Sequence, residues 1–243
     1  MRIPRIHHPE PLAEGITVTL EGEPANHVAR VLRLRAGDAV TLFDGRGGEY
    51  AATIREQMKK AVTVEVGGHR AVEVESPLPV TLMQGIAKGE RMDFTIQKAV
   101  EMGVHRVLPV FTARSVVRLE GERLERRWHH WRGVAVAACE QCGRNRLPEV
   151  AAPQALTDWL AAPPAGLRLL LHHRSEATVG SLAPPPEGVV LLIGPEGGLN
   201  ERERQAAQTA GFTGLRLGPR VLRTETAALA ALAGLQGRWG DLG

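Results

Sequence analysis

Two stretches of the chain set glycine, proline and charged residues immediately after apolar runs, where a parallel sheet presents a ligand to its loops. The first, Gly194-Pro195-Glu196-Gly197-Gly198, follows the run at 189–193; its glycines let backbone amides approach a ligand unobstructed by side chains. The second, Gly218-Pro219-Arg220-Val221-Leu222-Arg223, follows a run at 215–217 and leads into Thr224 and Glu225. Neither fits G-x-G-x-x-G or G-x-x-x-x-G-K-[ST], so a cofactor gripped by its phosphates is unsupported, while a phosphate-free adenosyl ligand is compatible. Either stretch alone reads equally well as a tight strand-to-helix turn.

A further polar cluster, Glu140, Gln141, Arg144, Asn145 and Arg146, closes a long helical pattern, either as a solvated helix end or as a substrate contact. Cys139 and Cys142 have the spacing of paired metal or redox thiols, but no second cysteine pair exists and His129 and His130 lie too far upstream for the usual zinc spacing, so no metal is expected. His172 and His173 end an apolar run and fit either a crevice wall or an ordinary loop.

The elements that must position these residues change character near 76–79, Ser-Pro-Leu-Pro, which breaks every periodic pattern. Before it, short alternating runs at 16–20, 39–43, 49–54 and 61–66, punctuated by glycine pairs, predict a small β-barrel. One short helix at 26–34 interrupts them and carries Arg30 and Arg33 on its outer face. After it, strands at 80–83, 104–111, 168–171, 189–193 and 215–217 alternate with helices at 91–102, 122–142, 200–211 and 224–236, the third opened by Asn200 and Glu203 in a capping-box arrangement. That alternation predicts an α/β domain with a mostly parallel sheet. Two domains follow, 1–75 and 76–243.

The chain has 243 residues, 43% of them apolar, enough for sizeable cores without disulfides. No apolar run approaches the roughly 20 residues of a membrane-spanning helix, and two cysteines suit a reducing compartment, so a cytoplasmic location is expected. The net charge is only +3, but basic residues are in excess between 76 and 150. Arg30, Arg33 and Arg35 form a patch free of intervening acids, and Arg2 and Arg5 open the chain. Such patches are either scattered surface charge or contacts to phosphate. With 4% aromatic residues, any nucleic-acid grip rests on charge more than stacking.

Together the stretches MRIPRIHHPEPL, ANHVARVLRLRAGD, LFDG, KGERMDFTIQKAVEMGV, AACEQCGRNRLPE, LLIGPEGGLNERE and LGPRVLRTETAAL span nearly the whole chain. In this order they resemble the RsmE-type methyltransferases of the SPOUT superfamily, the correspondence being weakest at 151–166. The resemblance implies a PUA-like N-terminal β-barrel, a knotted α/β second domain and a homodimer. It implies methylation of uridine N3 in bacterial 16S ribosomal RNA, within the small ribosomal subunit, from S-adenosylmethionine. A methyltransferase for another RNA position, and a non-catalytic ribosome-assembly factor, are the alternatives. The donor-holding residues are then expected to be Leu171, His172, Ile193, Gly194, Glu196, Gly197, Gly198, Leu217, Gly218, Leu222 and Thr224. Catalytic roles fall among Arg223, Glu225, Glu196, Glu140 and Arg144, and RNA contacts among Arg2, Arg5, Arg30, Arg33, Arg35, Lys88 and Arg220.

Overall fold

The computed structural model describes residues 3–115 and 119–243; Arg2, expected to contact RNA, lies outside them. The chain divides into two compact units, one of residues 1–75 with 139–147 and the other of residues 76–138 with 148–243.

In the first unit, β1 (Arg5–His7), β2 (Thr17–Glu21), α1 (Gly22–Asn26), β3 (Ala39–Phe43), β4 (Glu49–Gln57) and β5 (Ala61–Arg70) build a five-stranded sheet of order β1-β3-β4-β5-β2. Only the β1–β3 pair is parallel. Alternation sets the faces: in β2, Val18 and Leu20 are buried and the residues on either side exposed. Two register shifts in β4 against β5, at Tyr50/Ala52 and Ile54/Glu56, bend the sheet. No pairing joins β1 to β2 among the described residues, so the barrel expected from the alternation is a half-barrel. Its core holds Ile6, Leu20, Val40, Leu42, Ile54 and Val64, completed by Val28 from the helical segment. That segment runs earlier than its periodicity predicts. α1 continues into a wide π-type turn at His27–Val31, where Leu32 N–H donates to His27 O (2.9 Å), and Arg33 then stops it with φ of 55°.

β1 is absent from the sequence reading because three residues carry no period. A buried ion network fixes it. Arg5 pairs with Glu49 and donates through Nη2 to Asn145 Oδ1 (2.6 Å) and Arg144 O (3.1 Å). Arg144, 3% exposed, makes a two-pronged contact with Glu75 at 3.0 and 2.5 Å, and Asn145 Nδ2 donates to Val72 O (2.6 Å). Charges buried this deeply persist only when paired.

In the second unit, seven strands pair in parallel: β6 (Val80–Gly85), β7 (Arg106–Phe111), β8 (Glu149–Val150), β9 (Gln154–Ala155), β10 (Leu167–Leu171), β11 (Val189–Ile193) and β12 (Thr213–Leu215). The order is β12-β10-β11-β6-β7-β8, with β9 also on β7. β11 is buried along its whole length, which is why it reads VVLLI without alternation. Among the described residues the α-helices beside the sheet are α2 (Glu90–Glu101), α3 (Gly121–Cys142, its last turn in the first unit), α4 (Leu156–Ala161), α5 (Glu201–Thr209) and α6 (Thr224–Trp239). The capping box of α5 forms as its sequence predicts, Glu203 N–H donating to Asn200 Oδ1 and Asn200 N–H to Glu203 Oε2, both at 2.8 Å. The two-residue strands β8 and β9 and the short α4 are too brief for a periodic signal, and β12 begins two residues before the predicted run. No described helix is long and apolar enough to cross a membrane.

Candidate functional site

The strand order decides where a ligand can sit. The chain runs from β10 inward to β11, back past β10 to β12, and returns through residues 216–223 so that α6 packs on α2, β6 and β11. The carboxyl ends of β10, β11 and β12 therefore converge, and ligands of parallel sheets bind outside such ends where the winding reverses. A cavity of about 570 Å³ lies there, within the roughly 300–1,000 Å³ of small-molecule sites.

Three loops line it. The end of β10 contributes Leu171, His172 and His173; the loop after β11 contributes Gly194, Pro195, Glu196, Gly197 and Gly198; the stretch before α6 contributes Leu217, Gly218, Arg220, Val221, Leu222, Arg223, Thr224 and Glu225. Every residue expected to hold a donor faces this one cavity, together with three of the five candidate catalytic residues and Arg220. The loop after β11 must be small: a Cβ on Gly194 would meet Gly198 C and Leu199 N at 2.9 Å, and one on Gly197 would meet Arg114 Cβ at 3.0 Å. Gly198 turns the chain at φ of 65°, and Gly198 N–H donates to Pro195 O (2.8 Å).

The electrostatics of the cavity turn on Arg91, in the first turn of α2. Its Nη1 lies 2.9 Å from Glu196 Oε1 and its Nε 3.7 Å from Glu225 Oε1, so one guanidinium faces two carboxylates. Glu196 Oε1 also accepts Lys88 N–H at 2.9 Å. Burial works to raise the Glu196 carboxyl, but these donors and its own N–H outweigh it and hold its pKa below the ordinary value. Glu225 Oε2 is buried and has no hydrogen-bond partner among the described residues. Arg114 Nη1 donates to Gly197 O (2.9 Å), tying the loop after β7 to the glycine loop. His172, set beside His173 with ring centroids 4.9 Å apart, has its pKa lowered, first by desolvation and then by His173 and the neighbouring arginines. Arg220 and Arg223 are exposed at the rim, and no ion pair to either is found among the described residues.

Other candidates lie elsewhere. Glu140 and Arg144 belong to the first unit, where Glu140 Oε1 accepts His7 N–H (2.9 Å) and Arg144 pairs with Glu75. Burial raises the Glu140 carboxyl pKa against the pull of that hydrogen bond. Both side chains are spent on packing the first unit, as is Arg5, whose side chain is 8% exposed rather than offered to phosphate. Arg30, Arg33, Arg35 and Lys88 are exposed. Cys139 is buried, with its thiol pushed up to about 12 by desolvation, and no metal-binding cluster occurs among the described residues. Arg91, Arg114 and Gln84 carry no local signal that marks them as site residues, although Gln84 lies four residues before, and Arg91 within, the first stretch of the second unit to resemble a known family.

Comparison with known proteins agrees with this architecture. Residues 74–236 match the family described as an RNA methyltransferase domain and residues 20–67 the RNA methyltransferase PUA domain. The fold is thus that of an RNA methyltransferase domain preceded by an RNA methyltransferase PUA domain. The ribosomal RNA small subunit methyltransferase E of Buchnera aphidicola (strain APS) is 32% identical over 99% of this chain and 95% of its own length, and that of Bacillus subtilis 28% identical over 92% and 91%. Among solved structures, the methyltransferase E of Neisseria gonorrhoeae bound to S-adenosylmethionine is 40% identical with a TM-score of 0.95, and a methyltransferase of Legionella pneumophila in complex with its cofactor SAM is 40% identical with a TM-score of 0.97; each covers all of both chains. The chain belongs to the ribosomal RNA small subunit methyltransferase E family.

Proposed function

We propose that this protein transfers the methyl group of S-adenosylmethionine to N3 of a uridine in small-subunit ribosomal RNA. The observation that carries the reading is the single cavity in which three strand-end loops meet around two carboxylates, with two exposed arginines at its mouth.

The residues present fit the donor. Leu171, Ile193, Leu217 and Leu222 supply apolar walls, Gly194, Gly197, Gly198 and Gly218 leave backbone within reach, His172 and Thr224 add polar edges, and Glu196 and Glu225 offer negative charge to a sulfonium. The bound donor supplies an already activated methyl group, so the protein's task is alignment and handling of the acceptor's proton. Uracil N3 is protonated and buried in a helix by pairing, so the base must be extruded and its N3–H removed. Glu225, with one oxygen uncommitted, is the stronger candidate to accept that proton; Glu196 already accepts three donors. Arg223 and Arg220 face outward, where they stabilise charge developing on the uracil oxygens and meet the RNA backbone.

RNA is gripped at the first unit by Arg30, Arg33 and Arg35, and Lys88 adds a contact on the second. Arg5 belongs instead to the buried ion network of that unit. The same reading includes a cytoplasmic homodimer acting on the small subunit and a knotted passage of residues 216–223, supported by the return of α6 from the edge strand β12 onto β11 and β6. Two measurements test it. Calorimetry should show S-adenosylmethionine binding to the free protein, and nucleoside mass mapping should show 3-methyluridine in small-subunit RNA only when the protein is present. Donor binding with methylation at another position would move the activity to a different RNA site, and no donor binding would leave an assembly factor.

A further inference from the structure

Gln84, at the end of β6, is fully buried and does not line the cavity. Its Nε2 donates to Gly85 O (3.0 Å) and to Thr224 Oγ1 (2.8 Å), and Thr224 Oγ1 in turn donates to Gly194 O (2.7 Å). The direction of this relay is forced. Two of its acceptors are carbonyls, so Nε2 must be the donating end of the amide, and the Thr224 hydroxyl has a single proton, which goes to Gly194. Thr224 opens α6 and Gly194 opens the loop after β11, and both line the cavity. The arrangement is costly: Gln84 Oε1 is buried with no hydrogen-bond partner among the described residues. An apolar side chain of similar volume would avoid that penalty, so stability alone does not explain the amide.

We propose that Gln84 is a positioning residue for the methyl donor: through Thr224 it fixes the Gly194 carbonyl and the start of α6, and so sets the spacing between two walls of the cavity from beneath. The inference rests on the donor reading given above. Steric contact from the same strand end complements the relay, because Gly85 lies directly against Pro195 and leaves the loop no room to slide towards β6.

Titration calorimetry with S-adenosylmethionine, well below the melting temperature, tests the relay, with the melting temperature of each variant recorded alongside. Thr224→Val keeps the shape of the side chain but cannot donate to Gly194, and Gln84→Met keeps volume but leaves Thr224 without its donor. Each should bind the donor at least about tenfold more weakly, equivalent to about 1.4 kcal/mol, whereas Thr224→Ser should stay within about threefold of wild type. The double variant should bind no more weakly than the weaker single one, since both break one chain of hydrogen bonds. Should Thr224→Val lose cooperative melting, Gln84→Met carries the same test. Variants that melt earlier yet bind with unchanged affinity, or single losses that simply add, would overturn the positioning role. A wild-type protein without donor affinity would overturn the underlying reading as well; wild-type binding with unaffected variants would overturn this inference alone.

Discussion

Substituting Gly85 by alanine should damage the cavity from outside it. A Cβ at this position would lie 2.4 Å from Pro195 N, 2.5 Å from Pro195 Cδ and 2.8 Å from Gly194 C, where ordinary contact begins at 3.4 Å. The obstacle is backbone and a proline ring, neither of which rotates away, so the loop after β11 must move by about 1 Å. Overpacking of this kind costs about 1–3 kcal/mol, while losing a glycine returns roughly 0.5–1 kcal/mol by restricting the unfolded chain. A net loss of about 1 kcal/mol follows, and for a protein of this size a fall in melting temperature of roughly 2–4 °C. Gly133→Ala is the matched control: it lies within α3 with nothing within 4 Å of its added Cβ, so it should be neutral or stabilising by about 0.5–1 kcal/mol. Scanning calorimetry of both variants, followed by titration with S-adenosylmethionine, reads stability and cavity separately. If Gly85→Ala melts with wild type and binds the donor unchanged, the close approach of β6 to the glycine loop does not shape the site, and the steric argument fails.

Further outcomes follow from the same geometry. Arg223→Ala should cut methyl transfer far more than donor binding, because the side chain is exposed at the rim; equal losses in turnover rate and donor affinity would make it part of the donor wall. Neutralising Arg30 and Arg33 together should flatten the salt dependence of RNA binding by about 1.4 units of slope, at roughly 0.7 per phosphate on a single strand, and leave donor affinity alone; an unchanged slope removes both from the interface. The Glu196 carboxyl has its pKa held below the ordinary value of 4.5 in the folded protein, so its contribution is complete above that value and is lost as pH falls through the lower folded one. The gap in melting temperature between wild type and Glu196→Gln should therefore be steady from about pH 7 to 5 and close below about 4.5; a gap that closes near pH 6 would show that Lys88 N–H and Arg91 do not hold the anion.

The glycine loops, the apolar strands before them and the α5 cap were legible because each is local: a run, a turn and a cap lie within about ten residues of one another. What could not be read locally is which strands become neighbours. Arg91 meets Glu196 only because β6 lies beside β11, and Gln84 reaches Thr224 only because α6 returns across the sheet. The same limit explains why Arg5 read as an RNA contact and Arg144 as a solvated or catalytic cation. Their partners, Glu49 and Glu75, come from elsewhere in the chain, and a paired buried arginine and a solvated one look alike in a string of letters. Residues that would touch the donor are thus carried by short motifs whose glycines and charges announce them, whereas those that hold the motifs in place are set by topology. For that reason the relay beneath the cavity separates the two kinds of evidence: its loss should weaken donor binding without changing any residue that lines the cavity except Thr224.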